Sequence, residues 1–140
     1  MDDRIAPMGI TDFEAVHQLW QVTEGVGLNE SDSQPNIAAF LERNPGLSFV
    51  ARQGNEVVGA VLCGHDGRRG YMHHLAVAKA WRRRGIGRKL VEACLSRLRG
   101  LGITKCNIFL YADNAPGEQF WQHDGWVHRA DLRLMQKPLL

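Results

Sequence analysis

Cysteine is scarce in this chain of 140 residues, and no two cysteines stand close together. Cys63, Cys94 and Cys106 are an odd number, widely spaced in apolar surroundings, with no CxxC or Cys/His pattern. That argues against a disulfide framework and against a zinc motif, and predicts reduced core thiols in a cytoplasmic protein with no metal. Long apolar runs are lacking too: none approaches the ~18 residues of a membrane span. The opening MDDRIAPMGI is acidic and has no apolar signal core. Neither sign of charge prevails, with 17 Lys and Arg against 15 Asp and Glu and a formal net charge of +2. A chain so balanced is not built to coat nucleic acid or a membrane, and its basic character must be local. Repeats, low-complexity linkers and composition breaks are also missing, so residues 1–140 read as a single domain.

What is present is patterned. RIAPM reads as a short first strand. Thr11 with Glu14 resembles a capping box, and Phe13, Val16, Leu19 and Trp20 recur at helical spacing, which predicts an amphipathic helix over 11–24. Ser33 can cap a second short helix, with Pro35 in its first turn and Asn44-Pro45 as its stop. LSFVARQ and EVVGAVLCGH then read as strands joined by a turn at Gly54-Asn55, and DGRRG as a second turn into the strand YMHHLAVA. From Gly87 a stripe of Leu90, Val91, Cys94, Leu95 and Leu98 predicts a helix that ends at Gly100 and Gly102. ITKCNIFLYA reads as a strand, NAPGEQFWQHDG as a short helix and WVHRADLRLMQKPL as a final strand pair. A helix crossing between two strands implies parallel pairing there. The fold class expected is mixed α/β: a central, mostly antiparallel sheet with one splayed parallel pair and flanking helices.

The chemistry-bearing stretch is AVAKAWRRRGIGRKLVEACL, from Ala76 to Leu95. Gly85 and Gly87 remove side chains where a ligand approaches the backbone. The helix that begins there offers unpaired N–H groups and the positive end of its dipole. Arg82, Arg83, Arg84, Arg88 and Lys89 add positive charge around that turn. Together these suit a pyrophosphate, although neither GxxxxGK[ST] nor a complete dinucleotide fingerprint is present.

Arg82-Arg83-Arg84-Gly85-Ile86-Gly87 matches [Q/R]xxGx[G/A], and the preceding HHLAVAKAW looks like LxVxPxxR, with Lys79-Ala80 replacing the usual Pro-acidic pair. Asn114 followed by FWQHDGW resembles a closing N…A…xYexxGF segment, with Asn114, Gly125 and Trp126 at the matching spacings. By these motifs and by element order over essentially the whole chain, the sequence resembles the GNAT family of N-acetyltransferases. The resemblance implies acetyl-CoA as cosubstrate and an acetyl group passed to a primary amine in a ternary complex. It implies that pantetheine runs along the backbone edge of Leu75, Ala76 and Val77, and that the pyrophosphate sits on Arg82 to Lys89, with Ile86 in that loop. Asn114 would lie near the pantetheine arm. A homodimer is compatible with the family. A CoA-binding sensor without turnover is the alternative reading, and a basic-patch nucleic-acid binder a weaker third.

Direct attack needs an uncharged amine, and a lysine-like amine has a pKa of about 10.4, so a base or a water relay must take its proton. His73 is the leading catalytic candidate, since some family members carry a histidine at the matching position. Strand alternation places it on one face with Tyr71 and Leu75 and turns His74 away; a bulge, common in this strand of the family, would undo that argument. The family's usual acid is a tyrosine seven residues after the asparagine, and here that position holds Trp121. Indole cannot fill that role; a thiol of pKa about 8.5 leaves as thiolate at a cost of only roughly 2 kcal/mol at pH 7. Water or Tyr111 could substitute. The acceptor, a small-molecule or a protein amine, is left open; the resemblance puts the substrate walls in residues 20–36, with Trp20, Glu24, Glu30 and Asp32 as candidates, and in the final hairpin.

Overall fold

Among the described residues, five strands form one sheet in chain order: β1 (Arg4–Pro7), β2 (Phe49–Gln53), β3 (Glu56–His65), β4 (Gly70–Val77) and β5 (Cys106–Ile108). The structure, a computed structural model, describes residues 4–139. The first three pairings are antiparallel, and β4 with β5 is parallel. Helices are α1 (Phe13–Gln21), α2 (Gln34–Arg43), α3 (Ile86–Gly100) and α4 (Ala115–His123). The mixed, mostly antiparallel sheet with one parallel pair is therefore present as expected. The chain divides into two compact units, Met1–Phe109 and Leu110–Leu140.

In the first unit each sheet face carries its own core. On one side Val16, Leu19 and Trp20 of α1 and Ile37 of α2 bury against Val50, Ala60, Leu62 and Ala76. On the other side α3 turns its buried Ile86, Leu90, Val91, Cys94 and Leu98 inward. Each such side chain contributes roughly 1.5–3 kcal/mol on removal from water. The 3.6-residue spacing of the α3 stripe is thus what attaches that helix to the sheet.

Local chemistry set several boundaries differently from the pattern. The first helix begins not with a Thr11 cap but with a 3₁₀ turn, Ile10–Asp12, because the Asp12 carboxylate accepts the Gly9 N–H at 2.9 Å. Asp12 also ion-pairs with Arg52 of β2, which fixes the turn to the sheet. The helix ends at Gln21, three residues short of the expected limit, where the Thr23 hydroxyl donates to the Leu19 carbonyl. Ser33 does cap α2, accepting the Asn36 N–H, with Pro35 in the first turn. The weakly patterned stretch before it holds a 3₁₀ turn at Glu30–Asp32. Only Cys106–Ile108 of ITKCNIFLYA pairs as a strand.

In the second unit Asn114 caps α4, and Gly125 ends it with the Trp126 N–H on the Trp121 carbonyl at 2.9 Å. The expected final strand pair is absent: residues 126–139 form no strand. The alternating LRLM pattern has no partner strand within its own unit, and a lone hairpin is marginal in water. Arg129 instead pairs with Asp131 at 2.8 Å across a turn.

Seating α3 requires a bare backbone opposite it. At Gly70, where β4 starts, an added Cβ would lie 2.6 Å from Leu98 Cδ1. Gly70→Ala is expected to destabilise the protein by about 1–3 kcal/mol through overpacking. Denaturant melting measures it, and an unchanged midpoint would refute this account of the α3 contact.

Candidate functional site

The basic turn of the sequence becomes the N-terminus of α3. Gly85 caps the helix at φ 81°, a left-handed conformation that side chains strain to adopt. Its carbonyl accepts the Lys89 N–H at 3.1 Å, the first helical bond. Ile86 and Leu90 are buried and anchor this first turn, while Arg82 to Gly85 are exposed. The N–H groups of Ile86, Gly87 and Arg88 precede the helical ladder and point out of its positive end. Arg83 is also left-handed, at φ 65°. The Arg84 guanidinium lies 4.7 Å over the Trp81 ring. The residues present therefore fit a pyrophosphate: backbone donors, a dipole and flanking guanidinium groups.

Beside this turn lies an open strand edge. The pairing of β4 with β5 covers Gly70, Met72 and Tyr71 and extends no further. Ala78 donates to the Val58 carbonyl, so the hydrogen-bonded partners of β3 at this end of β4 are Ala76 and Ala78. By the alternation of an antiparallel ladder, Leu75 and Val77 turn their peptide groups the other way, toward the edge that β5 leaves open. Arg82 joins edge and turn, its Nε donating to the Val77 carbonyl at 3.0 Å. A second nitrogen of Arg82 lies 3.6 Å from Glu24, whose side chain is mostly in solvent, so this pair contributes little stability. The peptide edge of Leu75 and Val77 and the exposed residues Arg82 to Gly85, Arg88 and Lys89 thus lie side by side in the first unit, over the buried Ala76, Ile86 and Gly87.

The two histidines depart from simple alternation. Between the pairs Ala60↔Ala76 and Leu62↔His73, β4 carries one residue more than β3. His74 absorbs it at φ 56°. This bulge turns both imidazoles to the α1/α2 side of the sheet, their ring centroids 6.5 Å apart. The expectation that His74 faces away from His73 is therefore overturned, as is the shared face of His73 and Leu75; Tyr71 stays with His73.

The surroundings of the two rings differ. His73 meets Phe40 edge-on at 6.2 Å and stacks on Phe109 at 6.0 Å, and Phe109 stacks in turn on Tyr71. Burial pushes the His73 imidazole below its ordinary value; the charge of His74 adds to this and Asp32 opposes it. His74 has a carboxylate instead, with Nε2 2.9 Å from Asp32 Oδ1. Asp32 is only 6% exposed, and its other oxygen accepts the Asn29 N–H. Trp20 packs edge-on against His74 and donates its indole N–H to the His74 carbonyl at 2.9 Å.

These contacts revise the candidate wall. Trp20 is fully buried core and Asp32 belongs to His74, which leaves Glu24 and Glu30 exposed. The Asp32–His74 pair was the residue set that sequence reasoning missed, since their sequence separation of 42 carries no spacing signal. In the second unit Asn114 uses its side chain to accept the Gly117 N–H at 3.0 Å. Trp121 is buried against Phe120 and Trp126, and Tyr111 is exposed.

Comparison with known proteins gives these features a context. Residues 13–126 match the model of the acetyltransferase (GNAT) family, a span that includes both units. An acetyltransferase of Sodalis glossinidius is 34% identical over 103 residues, 74% of this chain and 72% of that protein. One from Pectobacterium atrosepticum matches with the same identity and coverage. Among solved structures, Ard1 from Thermoplasma volcanium superposes with a TM-score of 0.81 at 24% identity, covering 93% of this chain and 86% of its own. PaiA N-acetyltransferase from Thermoplasma acidophilum, solved in complex with coenzyme A, gives 0.78 at 18% identity, covering 89% of each chain. The chain belongs to the GNAT family, as an acetyl-CoA-dependent N-acetyltransferase.

Proposed function

We propose that the acetyl group passes directly to a primary amine held beside β4 in a ternary complex. The observation that carries this reading is the Arg82–Val77 hydrogen bond, which makes the α3 turn and the open edge of β4 one surface. Acetyl-CoA supplies the activated acetyl thioester. The N–H groups of Ile86, Gly87 and Arg88, with Arg82, Arg83, Arg84 and Lys89 around them, take the pyrophosphate. Leu75 and Val77 offer peptide groups, with Ala76 between them, to the pantetheine amides in the manner of an added strand. Asn114 of the second unit is a further proposed cofactor-binding residue, on the family resemblance. No protein nucleophile is required, because the amine itself attacks.

His73 is the proposed base. Its aromatic surroundings keep it neutral and therefore able to accept a proton at neutral pH. The chain acts as a single domain in the cytoplasm; among the described residues no helix is long and apolar enough to cross a membrane. The acceptor class is a small-molecule or a protein amine, and a homodimer is compatible with the reading.

Trp121, at the position of the family's tyrosine acid, favours one second reading: a CoA-binding sensor without turnover. Thiol release with a broad panel of amines separates the two, since tight acetyl-CoA binding without release from any amine supports the sensor.

Two predictions follow from these assignments. Replacing Gly85 and Gly87 together by Val should weaken acetyl-CoA binding at least ~10-fold, or about 1.4 kcal/mol, by calorimetry. Affinity equal to that of the unaltered protein would sink the proposed cofactor site. The second concerns pH. A base whose pKa is lowered stays neutral as pH falls through 6.5, so kcat/KM should hold there and drop only further down. His73→Gln should remove this acid limb and lower kcat on the order of 10²-fold or more. An acid limb that persists in the variant assigns the base elsewhere.

A further inference from the structure

Asp32 and His74 have no part in the reading above, yet the structure holds them with unusual care. His74 sits at φ 56°, a conformation that glycine or asparagine takes more easily. A left-handed non-glycine residue is strained and persists only where its surroundings impose it. Two contacts impose it here: the Trp20 indole N–H holds the carbonyl, and Asp32 holds the ring. What glycine would lack at this position is the imidazole.

An ionised carboxylate only accepts hydrogen bonds, so the His74 nitrogen facing Asp32 must be Nε2–H. That fixes the tautomer and leaves the Nδ1 lone pair free to take a proton. An imidazolium formed on His74 has a counter-ion already in contact. His73 sees Phe40 and Phe109 instead, which favour the neutral ring. The two centroids, 6.5 Å apart on one face, are too far for direct ring-to-ring transfer and near enough for one bridging water.

We propose that Asp32 and His74 form a proton-accepting couple, with Asp32 as positioning residue, that takes from His73 the proton released by the acceptor amine. The inference rests on the proposed amine acetylation. The amine N–H breaks and an N–H forms on His73. The other ring nitrogen of His73 gives up its N–H to the bridging water, which delivers a proton to His74 Nδ1, and the partly exposed His74 releases it to solvent before the next turnover. Asp32 remains a carboxylate throughout, and His73 returns to the neutral form for the next turnover. No oxidant or further reactant enters.

Asp32→Asn keeps an oxygen for the Asn29 N–H and removes the charge; Asp32→Glu keeps the charge. With the full chain and a reactive amine found by thiol release, Asp32→Asn should lower kcat by on the order of 10²-fold, while the KM and Kd for acetyl-CoA change less than ~2-fold. Asp32→Glu should recover part of the loss, and His74→Asn, which suits the left-handed backbone, should fall as far as Asp32→Asn. Wild-type kcat in Asp32→Asn, or an equal loss of acetyl-CoA affinity, overturns the couple. Nitrogen-15 NMR of the histidine rings tests it without turnover. Neutral His74 should carry its proton on Nε2 in the unaltered protein and lose that preference in Asp32→Asn; a proton found on Nδ1 overturns the proposal. If the unaltered protein shows the expected tautomer yet acetylates no amine, it is the amine-acetylation reading, and the couple's catalytic role with it, that fails.

Discussion

The burial of one face of α3 against the sheet is the contact on which the site depends. Ile86, Leu90, Val91, Cys94 and Leu98 leave water together, and the helix can settle only where the opposing backbone is bare enough. Because α3 connects β4 to β5 in parallel, its N-terminus must come just after the β4 C-terminal end. The positive end of the helix therefore emerges beside the strand edge that β5 does not cover. The place where the charge of the arginines stands is decided by apolar packing on the far side of the same helix.

The second constraint is the extra residue in β4. A strand of regular pleat would bury one histidine and present the other, and the two would never share a compartment. Once His74 takes up the bulge, both rings project toward α1 and α2, and the segment between those helices can reach them. The 3₁₀ turn at Glu30–Asp32, capped by the Asn29 side chain, aims a carboxylate inward from a stretch with little apolar patterning of its own. Short polar caps thus do for this loop what hydrophobic periodicity does for the helices.

Legibility in the sequence followed the same division. The bounds of β3 and the start and stop of α2 were readable, because turn residues and Ser33 act on their immediate neighbours. The α3 turn was readable because its glycines, its arginines and its apolar stripe are contiguous. The bulge was not, since two adjacent histidines look the same in a regular or an irregular strand. Asp32 read as one more acidic loop residue, for burial beside a distant ring leaves no trace in local spacing. The expected C-terminal strand pair does not form, for a strand needs a partner to hydrogen-bond and residues 126–139 have none within their own unit.

That buried carboxylate carries the strongest physical argument about the chemistry. Removing an ionised group from water costs several kcal/mol unless its oxygens are satisfied, and Asp32 has a backbone N–H on one oxygen and His74 on the other. An apolar residue of similar size would cap nothing, but it would also carry no desolvation penalty, so stability alone gives weak reason for a charge there. The same holds at His74, where a glycine would relieve the backbone. Two neighbouring positions each hold the less favourable residue for folding, and the two side chains touch. Against them, on the same face, stands a histidine enclosed by aromatic rings and driven toward its neutral form. Two imidazoles of identical intrinsic chemistry have been given opposite surroundings: burial among aromatic rings that disfavours positive charge at His73, and a carboxylate in contact at His74.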